Sequence, residues 1–424
     1  MTILGLDLDT ALVLGVFCLV YLGMVLGGLP GLRLGRSGVA LLGAIAIVGL
    51  REMTPEEAAQ AIHLPTILLL FSFMVISAQM RLGGFYSAIT RRMVAMPLGA
   101  VGLLGVVIWV SAVLSAVFSN DIVCLAVAPV LAEACLRRRL NPVPFLLALA
   151  CASNIGSAAT LIGNPQNMMI GEVLRLDFGA YLRDAVVPVA ISLVALWALL
   201  AWPARRGLVQ VDPEASSLAA VRALNEREML PFNGWQTFKG LAVAFGLVGV
   251  FLFTTWPRDV SALVAAGLLL LSQRFHSSKM MALVDWELLI LFIGLFVVNH
   301  ALQDTGLTAQ ALAALAAQGL VLAETATLFA TTVVLSNLVG NVPAVMLLLP
   351  AADAAPAAHF GLTLALVSTL AGNLLIVGSI ANIIVVDAAR KCGIVISWKQ
   401  HLVVGMPVTL VSLAVVWAWL AWRL

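Results

Sequence analysis

Apolar runs near membrane-spanning length recur along most of this 424-residue chain. Examples are Ala11–Leu29, Thr66–Met80, Leu98–Phe118, Val186–Trp202, Leu288–Leu302 and His401–Trp422. Such runs cross or enter a bilayer as helices, because backbone amides in hydrocarbon must be satisfied within their own segment. Only 10% of residues are charged and 62% are hydrophobic. That leaves too little polar surface for a large water-soluble enzyme. The expected fold class is an all-α polytopic membrane protein. A formal net charge of +2, with no basic stripe carrying interleaved aromatics, points away from nucleic acid. Cys18, Cys124, Cys135, Cys151 and Cys392 show no CxxC spacing, which argues against a zinc site or a disulfide framework. Asp7 and Asp9 precede the first basic residue, Arg33, so Ala11–Leu29 reads as a retained helix rather than a cleaved signal.

The two halves of the chain can be laid over each other. Arg36-Ser-Gly-Val-Ala-Leu matches Arg258-Asp-Val-Ser-Ala-Leu, and Leu64 through Phe85 matches Trp286 through Leu307. Phe118-Ser119-Asn120 is set against Leu335-Ser336-Asn337, Ser153-Asn154 against Gly372-Asn373, Asn167 against Asn382, and Val187-Pro188 against Met406-Pro407. The offset stays between 215 and 222 residues throughout. A first repeat over 1–203 and a second over 237–424 follow, joined by a polar segment, 204–236. That segment holds Arg205, Arg206, Asp212, Glu214, Arg222, Glu226, Arg227 and Glu228. It reads as a cytoplasmic linker, partly helical and lying along the membrane face.

Basic residues set the orientation, because they collect on the cytoplasmic side. Of 23 Lys and Arg, only Arg51, Arg175, Arg183, Arg258 and Arg423 then lie outside. This holds only if 98–136 and 321–352 each enter and leave on one side, as re-entrant hairpins do. The hairpins are expected to turn at Ser119-Asn120 and at Ser336-Asn337, where small polar residues can satisfy the turn backbone. Both termini then lie outside, and the second repeat is inverted relative to the first. Interfacial helices are expected at Phe85–Met96 and Thr308–Gly319.

Two further apolar segments, 143–175 and 361–390, carry Gly/Asn clusters at mid-depth. Gly163-Asn164-Pro165 would break a helix in the first, and the run Gly372–Asn382 interrupts the second. Irregular backbone at membrane depth is tolerated where it lines a protein cavity, and paired breaks in two halves point to a transport site. Half-helices starting near Pro165 and Ser379 would aim N–H groups and positive dipole ends at that cavity. Such ends suit an anion or a neutral oxo-species. Freed carbonyls and the amide oxygens of Asn120, Asn154, Asn337 and Asn373 suit Na+ or a hydroxylated solute. The competing reading is that Ser, Asn and Gly merely let helices pack closely.

Asp121 follows Asn120 at the first hairpin tip, opposite Leu338 in the second repeat. An ionisable residue at mid-membrane is a functional candidate by default, and burial favours its neutral acid form. It reads as a proton carrier, as a cap for the helix Ile122–Leu136, or as both. Glu172 and Asp387 follow the two breaks nearer the membrane faces. Glu133 is placed to neutralise Arg137–Arg139, and His300 reads as interfacial. Cys124 and Cys151 read as packing, since a thiophilic solute would lack a third nearby thiol.

The chain resembles the ion-transporter superfamily over nearly its full length, in particular its arsenite-permease/Na+:H+-antiporter branch, a relative of the divalent-anion/Na+ symporters. Phe118-Ser-Asn-Asp-Ile-Val-Cys-Leu-Ala-Val-Ala-Pro is similar to that branch's first hairpin. Ser336-Asn-Leu-Val-Gly-Asn-Val-Pro is similar to its second, and Ser153 through Asn167 looks like the first helix break of the symporters. Ile396-Ser-Trp fits the start of the last helix. The resemblance implies a scaffold plus a transport domain, a homodimer and an elevator-like movement. It also implies that substrate and coupling ion bind at Ser119, Asn120, Asn154, Gly156, Thr160, Gly163, Asn164, Ser336, Asn337, Asn373, Gly378 and Ser379. The symporters carry Ser-Asn-Thr at both tips. Asp121 and Leu338 stand in the third positions here, so their Na+ and carboxylate sites need not carry over.

The function expected is secondary transport of a small inorganic oxo-species or anion across the cytoplasmic membrane. Proton-coupled arsenite or antimonite efflux leads, with Asp121 as carrier. Na+-coupled uptake of a dicarboxylate, sulfate or similar anion is the alternative, and an ion channel is the alternative of another class. No cofactor is expected beyond the coupling ion, H+ or Na+. An enzyme is not expected, since the five scattered His form no catalytic cluster.

Overall fold

The computed structural model describes residues 2–3, 6–29, 31–50, 52–205, 231–272 and 274–423. Apart from a two-residue antiparallel pairing of Thr2–Ile3 with Leu6–Asp7, the regular structure there is helical. The expectations for Arg51 and for most of the linker lie outside the described residues.

Among the described residues, the α-helices run in two sets of ten. The first set is α1 (Leu8–Leu26), α2 (Arg36–Gly49), α3 (Pro55–Ala61), α4 (Leu64–Leu82), α5 (Phe85–Ala95), α6 (Ala100–Val117), α7 (Asn120–Arg137), α8 (Pro142–Ser157), α9 (Pro165–Val173) and α10 (Phe178–Arg205). The second is α11 (Gly234–Phe253), α12 (Arg258–Leu270), α13 (Ser277–Met281), α14 (Trp286–Asp304), α15 (Leu307–Ala317), α16 (Thr325–Val339), α17 (Asn341–Leu348), α18 (Ala357–Ala371), α19 (Ile380–Lys391) and α20 (Trp398–Arg423). Each helix of the first set has its counterpart ten places later. The packing repeats in the same way: α2 lies on α14 and α12 lies on α4, while α6 packs on α8 and α16 on α18. The halves therefore interlock rather than forming two separate bodies. Among the described residues, seven helices, α1, α4, α6, α10, α11, α14 and α20, are long and apolar enough to cross a membrane.

Local chemistry explains where the helices start and stop. Thr54 and Glu57 form a reciprocal capping box at the start of α3. Asn141, Asn164, Asn233 and Asp285 each accept a backbone N–H at the start of α8, α9, α11 and α14. Gly27, at φ 79°, closes α1 in the left-handed region. Large apolar side chains cover the outside: Phe253 is 85% exposed and Trp422 74%. Asn154, Asn164, Asn167 and Asn373 are fully buried. Apolar side chains facing outward, with these amides kept inside and hydrogen-bonded, is the arrangement lipid demands.

The first hairpin turns through extended Phe118 and Ser119, as expected. The second does not turn at Ser336-Asn337. α16 runs through both residues, and the chain breaks at Gly340, φ 93°. Asn337 lies within the helix, and its amide donates to the Val333 carbonyl one turn back, at 3.0 Å. Only glycine adopts the positive φ cheaply, so Gly340 decides the tip. The structural counterpart of Ser119-Asn120 is thus Gly340-Asn341, and Asp121 faces Val342 rather than Leu338. Smaller corrections apply at the edges: the second broken helix begins at Ala357, not 361, and α11 begins at Gly234, inside the expected linker.

Gly156 lets α8 cross α6 closely. A Cβ there would sit 2.3 Å from the Ala112 Cα and 2.5 Å from its carbonyl oxygen. Gly156→Leu is therefore expected to cost at least about 3 kcal/mol, the upper end for overpacking, because the obstruction is backbone. A thermal unfolding midpoint in detergent equal to wild type would contradict this close crossing.

Candidate substrate and ion site

Four half-helix N-termini meet at one cavity. It is lined by Asn120 and Asp121 of α7, Pro165 and Gln166 of α9, Asn341 to Pro343 of α17, and Gly378 to Ile380 at the start of α19. Each terminus brings backbone N–H groups and the positive end of a helix dipole. Arg36, the first residue of α2, lines the same cavity. Its volume open to water is about 50 Å³, enough for a few waters or one compact oxo-species.

Beneath the cavity lies an asparagine network centred on Asn154. Its Oδ1 accepts from Asn120 Nδ2 at 3.0 Å and from Ser379 Oγ at 2.9 Å. Its Nδ2 donates to Asn373 Oδ1 at 2.9 Å and to Asn382 Oδ1 at 3.2 Å. Asn382 in turn donates to the Gly372 and Leu375 carbonyls, holding the second break open. The Asn120 backbone N–H donates to the Gly163 carbonyl at 3.1 Å, tying hairpin tip to first break. With its amide nitrogen turned toward them, Asn341 donates to the Gly378 and Ser368 carbonyls at 3.1 and 3.0 Å, tying the second tip to the second break.

These bonds sort the expected residues. Asn120, Asp121, Gly378 and Ser379 border the cavity, while Asn154 and Asn373 lie directly behind it. Ser119 holds the N-cap position of α7, and Asp121 lies inside the first turn, so Asp121 is not the cap. Asp121 sits in the first turn and makes no side-chain hydrogen bond or ion pair among the described residues. The other expected residues do not line the cavity and make structural contacts around it. Gly156 serves the α6 crossing, and Thr160 Oγ1 donates to the Ala116 carbonyl at 2.6 Å. Gly163 leaves no room for a Cβ, which would meet the Ser157 carbonyl oxygen at 2.2 Å. Asn164 caps α9 and donates to Ser157 Oγ and Thr369 Oγ1. Ser336 is buried below the second tip, and Asn337 also donates to the Ala371 carbonyl at 3.1 Å.

Of the four amide oxygens considered for Na+, those of Asn154 and Asn373 already accept hydrogen bonds. The oxygens of Asn120 and Asn337 are buried with no partner. Glu172 pairs with Arg258 at 2.8 Å, Asp387 is exposed, and Glu133 pairs with Arg137. His300 is half-exposed beside Asp304 at 3.6 Å, which suits an interfacial residue.

Sequence reasoning missed Arg36, Asn341 and Gln166. Asn341 could have been found from Gly340, since a glycine before an Asn in an apolar hairpin marks the strained turn better than Ser-Asn. Arg36 carried no such signal, because it counted only as a cytoplasmic charge.

Two hairpin tips and two interrupted helices around one small polar cavity, inside an apolar shell, define a multi-pass membrane transporter. The chain belongs to the citrate-transporter family CitMHS, whose sequence profile matches residues 17–371. It is 32% identical over 417 residues to an uncharacterized transporter of Mycobacterium bovis, covering 92% of this chain and 94% of that one. It is 27% identical over 464 residues to the silicon efflux transporter LSI3 of Oryza sativa subsp. japonica, covering 95% of each. It is 24% identical over 489 residues to the putative transporter arsB of Dictyostelium discoideum, covering 91% of this chain and 87% of that one. The fold matches the crystal structure of the YdaH transporter of Alcanivorax borkumensis over 97% of each chain, with TM-score 0.52 and 13% identity. The resemblance to the ion-transporter superfamily therefore holds.

Proposed function

We propose that this chain is a secondary active transporter of a small inorganic oxo-species or its anion, with arsenite or antimonite efflux as the leading case and protons as the coupling ion. The observation that carries it is the cavity where four helix N-termini converge beside Asp121, an acid with no partner among the described residues. Positive dipole ends suit oxygen-rich solutes, and the acid supplies a proton-binding group on the same wall. The small volume favours a compact solute over a tricarboxylate. Relatives named for silicon efflux and for arsB agree with that size class. The reading carries with it inverted repeats, both termini outside, a linker at the cytoplasmic face and a homodimer in the cytoplasmic membrane. Hairpins and broken helices would move together in an elevator-like step against the remaining helices.

A second reading, Na+-coupled uptake of a carboxylate or similar anion, is favoured by the family's citrate description and by the unpartnered oxygens of Asn120 and Asn337. Everted vesicles under an imposed pH gradient separate the two. Accumulation of arsenite or silicic acid that survives replacement of Na+ by choline is the expected result. Citrate accumulation that collapses in choline would replace the leading case with the second reading.

A further inference from the structure

Arg36 and Arg258 occupy the same place in the two repeats, the first residue of α2 and of α12. Their surroundings differ in one decisive respect. Arg258 is neutralised by Glu172 at 2.8 Å and also donates to the Gly171 carbonyl at 2.7 Å. Glu172 is the eighth residue of α9; the eighth residue of α19, its counterpart, is Asp387, which is exposed. Arg36 does not reach it. Its Nε donates to the Met24 carbonyl at 3.2 Å, and no carboxylate oxygen approaches its guanidinium within 4.0 Å among the described residues. One terminal nitrogen lies 3.9 Å from where a Cβ on Gly340 would stand, so the group reaches the second hairpin tip. It forms part of the cavity wall together with Asn120 and Asp121.

A half-buried guanidinium without a counter-ion, facing converging helix N-termini, is an incomplete ion pair. We infer that Arg36 is the specificity-determining cation of this cavity, and that the solute is held there as an oxyanion bound through two oxygens to its guanidinium. This rests on the cavity being the substrate site proposed above. The planar fork of arginine matches two oxygens of one anion, which a lysine ammonium cannot do. Gly340 has no side chain, so the guanidinium can approach the tip where the helix N-terminus of α17 presents its own N–H groups.

The test uses the purified full-length chain in detergent, with inorganic phosphate and citrate as probes of anion binding by thermal shift. Wild type should be stabilised by at least one of them. Arg36→Gln should weaken that apparent affinity by about tenfold or more while its unliganded melting point stays close to wild type, and Arg36→Lys should recover part of the loss. Arg258→Gln should lower the unliganded melting point, through the unpaired Glu172, yet keep the anion response. An anion response equal in Arg36→Gln and wild type, or none in wild type with any probe, overturns the inference. Should Arg36→Gln fail to fold, the lysine variant decides: affinity equal to wild type overturns the bidentate role, and a several-fold loss supports it. Failure of the transport reading is seen separately, as wild-type vesicles that bind an anion but move none of the probes.

Discussion

Asp121→Asn is expected to abolish proton-driven accumulation, at least a hundredfold below wild type, while leaving the protein folded. Asparagine has nearly the same shape and can still hydrogen-bond, but it cannot carry a proton. Asp121 has no protein partner among the described residues, so its replacement breaks no buried bond and should change the unfolding free energy by less than about 0.5 kcal/mol. Asp121 lines the cavity at the first hairpin tip. Uptake driven by a pH gradient in everted vesicles measures the first part, and thermal unfolding the second. Unchanged pH dependence of transport in Asp121→Asn would remove the carrier role and return coupling to Na+. Retained exchange of solute without a gradient would place the defect in coupling rather than in binding.

Asn154→Leu should be the most damaging single substitution at the site. Its amide joins four side chains: Asn120 and Ser379 donate to it, and Asn373 and Asn382 accept from it. All of them sit at hairpin tip or helix break, and Asn154 is itself fully buried. Leucine would strand these polar groups away from water, at about 1–3 kcal/mol each. A loss of several kcal/mol follows, together with loss of transport, read as a lower unfolding midpoint and as abolished uptake. Asn154→Asp separates the contributions, because it keeps the acceptor for Asn120 and Ser379 but loses the donors to Asn373 and Asn382. If Asn154→Leu melted like wild type, the network would not be what holds the two breaks together.

Much of this arrangement was legible in the chain. Gly163-Asn164-Pro165 announced the first break because proline at the first turn and asparagine before it leave little choice. The half-helices begin at Pro165 and Ile380, where the pattern placed them. The second tip departs from the expected Ser336-Asn337 because that pair is compatible with a helix, and α16 absorbs both residues without strain. A polar pair can sit in a helix or at a turn with little difference in energy, whereas a positive φ nearly demands glycine. The registers of the two repeats therefore align at Gly340-Asn341, four residues further on.

The apolar runs and the sparse charge determined by themselves that this chain is a helical membrane protein. Those features follow from solvation and backbone hydrogen bonding, which act locally and leave a mark on every segment. Which polar groups meet was decided only by the tertiary structure. Asn154 bonds with Asn373, 219 residues away, and Arg36 turns to the cavity while Arg258 finds Glu172. Partner choice of that kind depends on helix crossings set by close contacts such as Gly156 against Ala112, and no local sequence pattern encodes it.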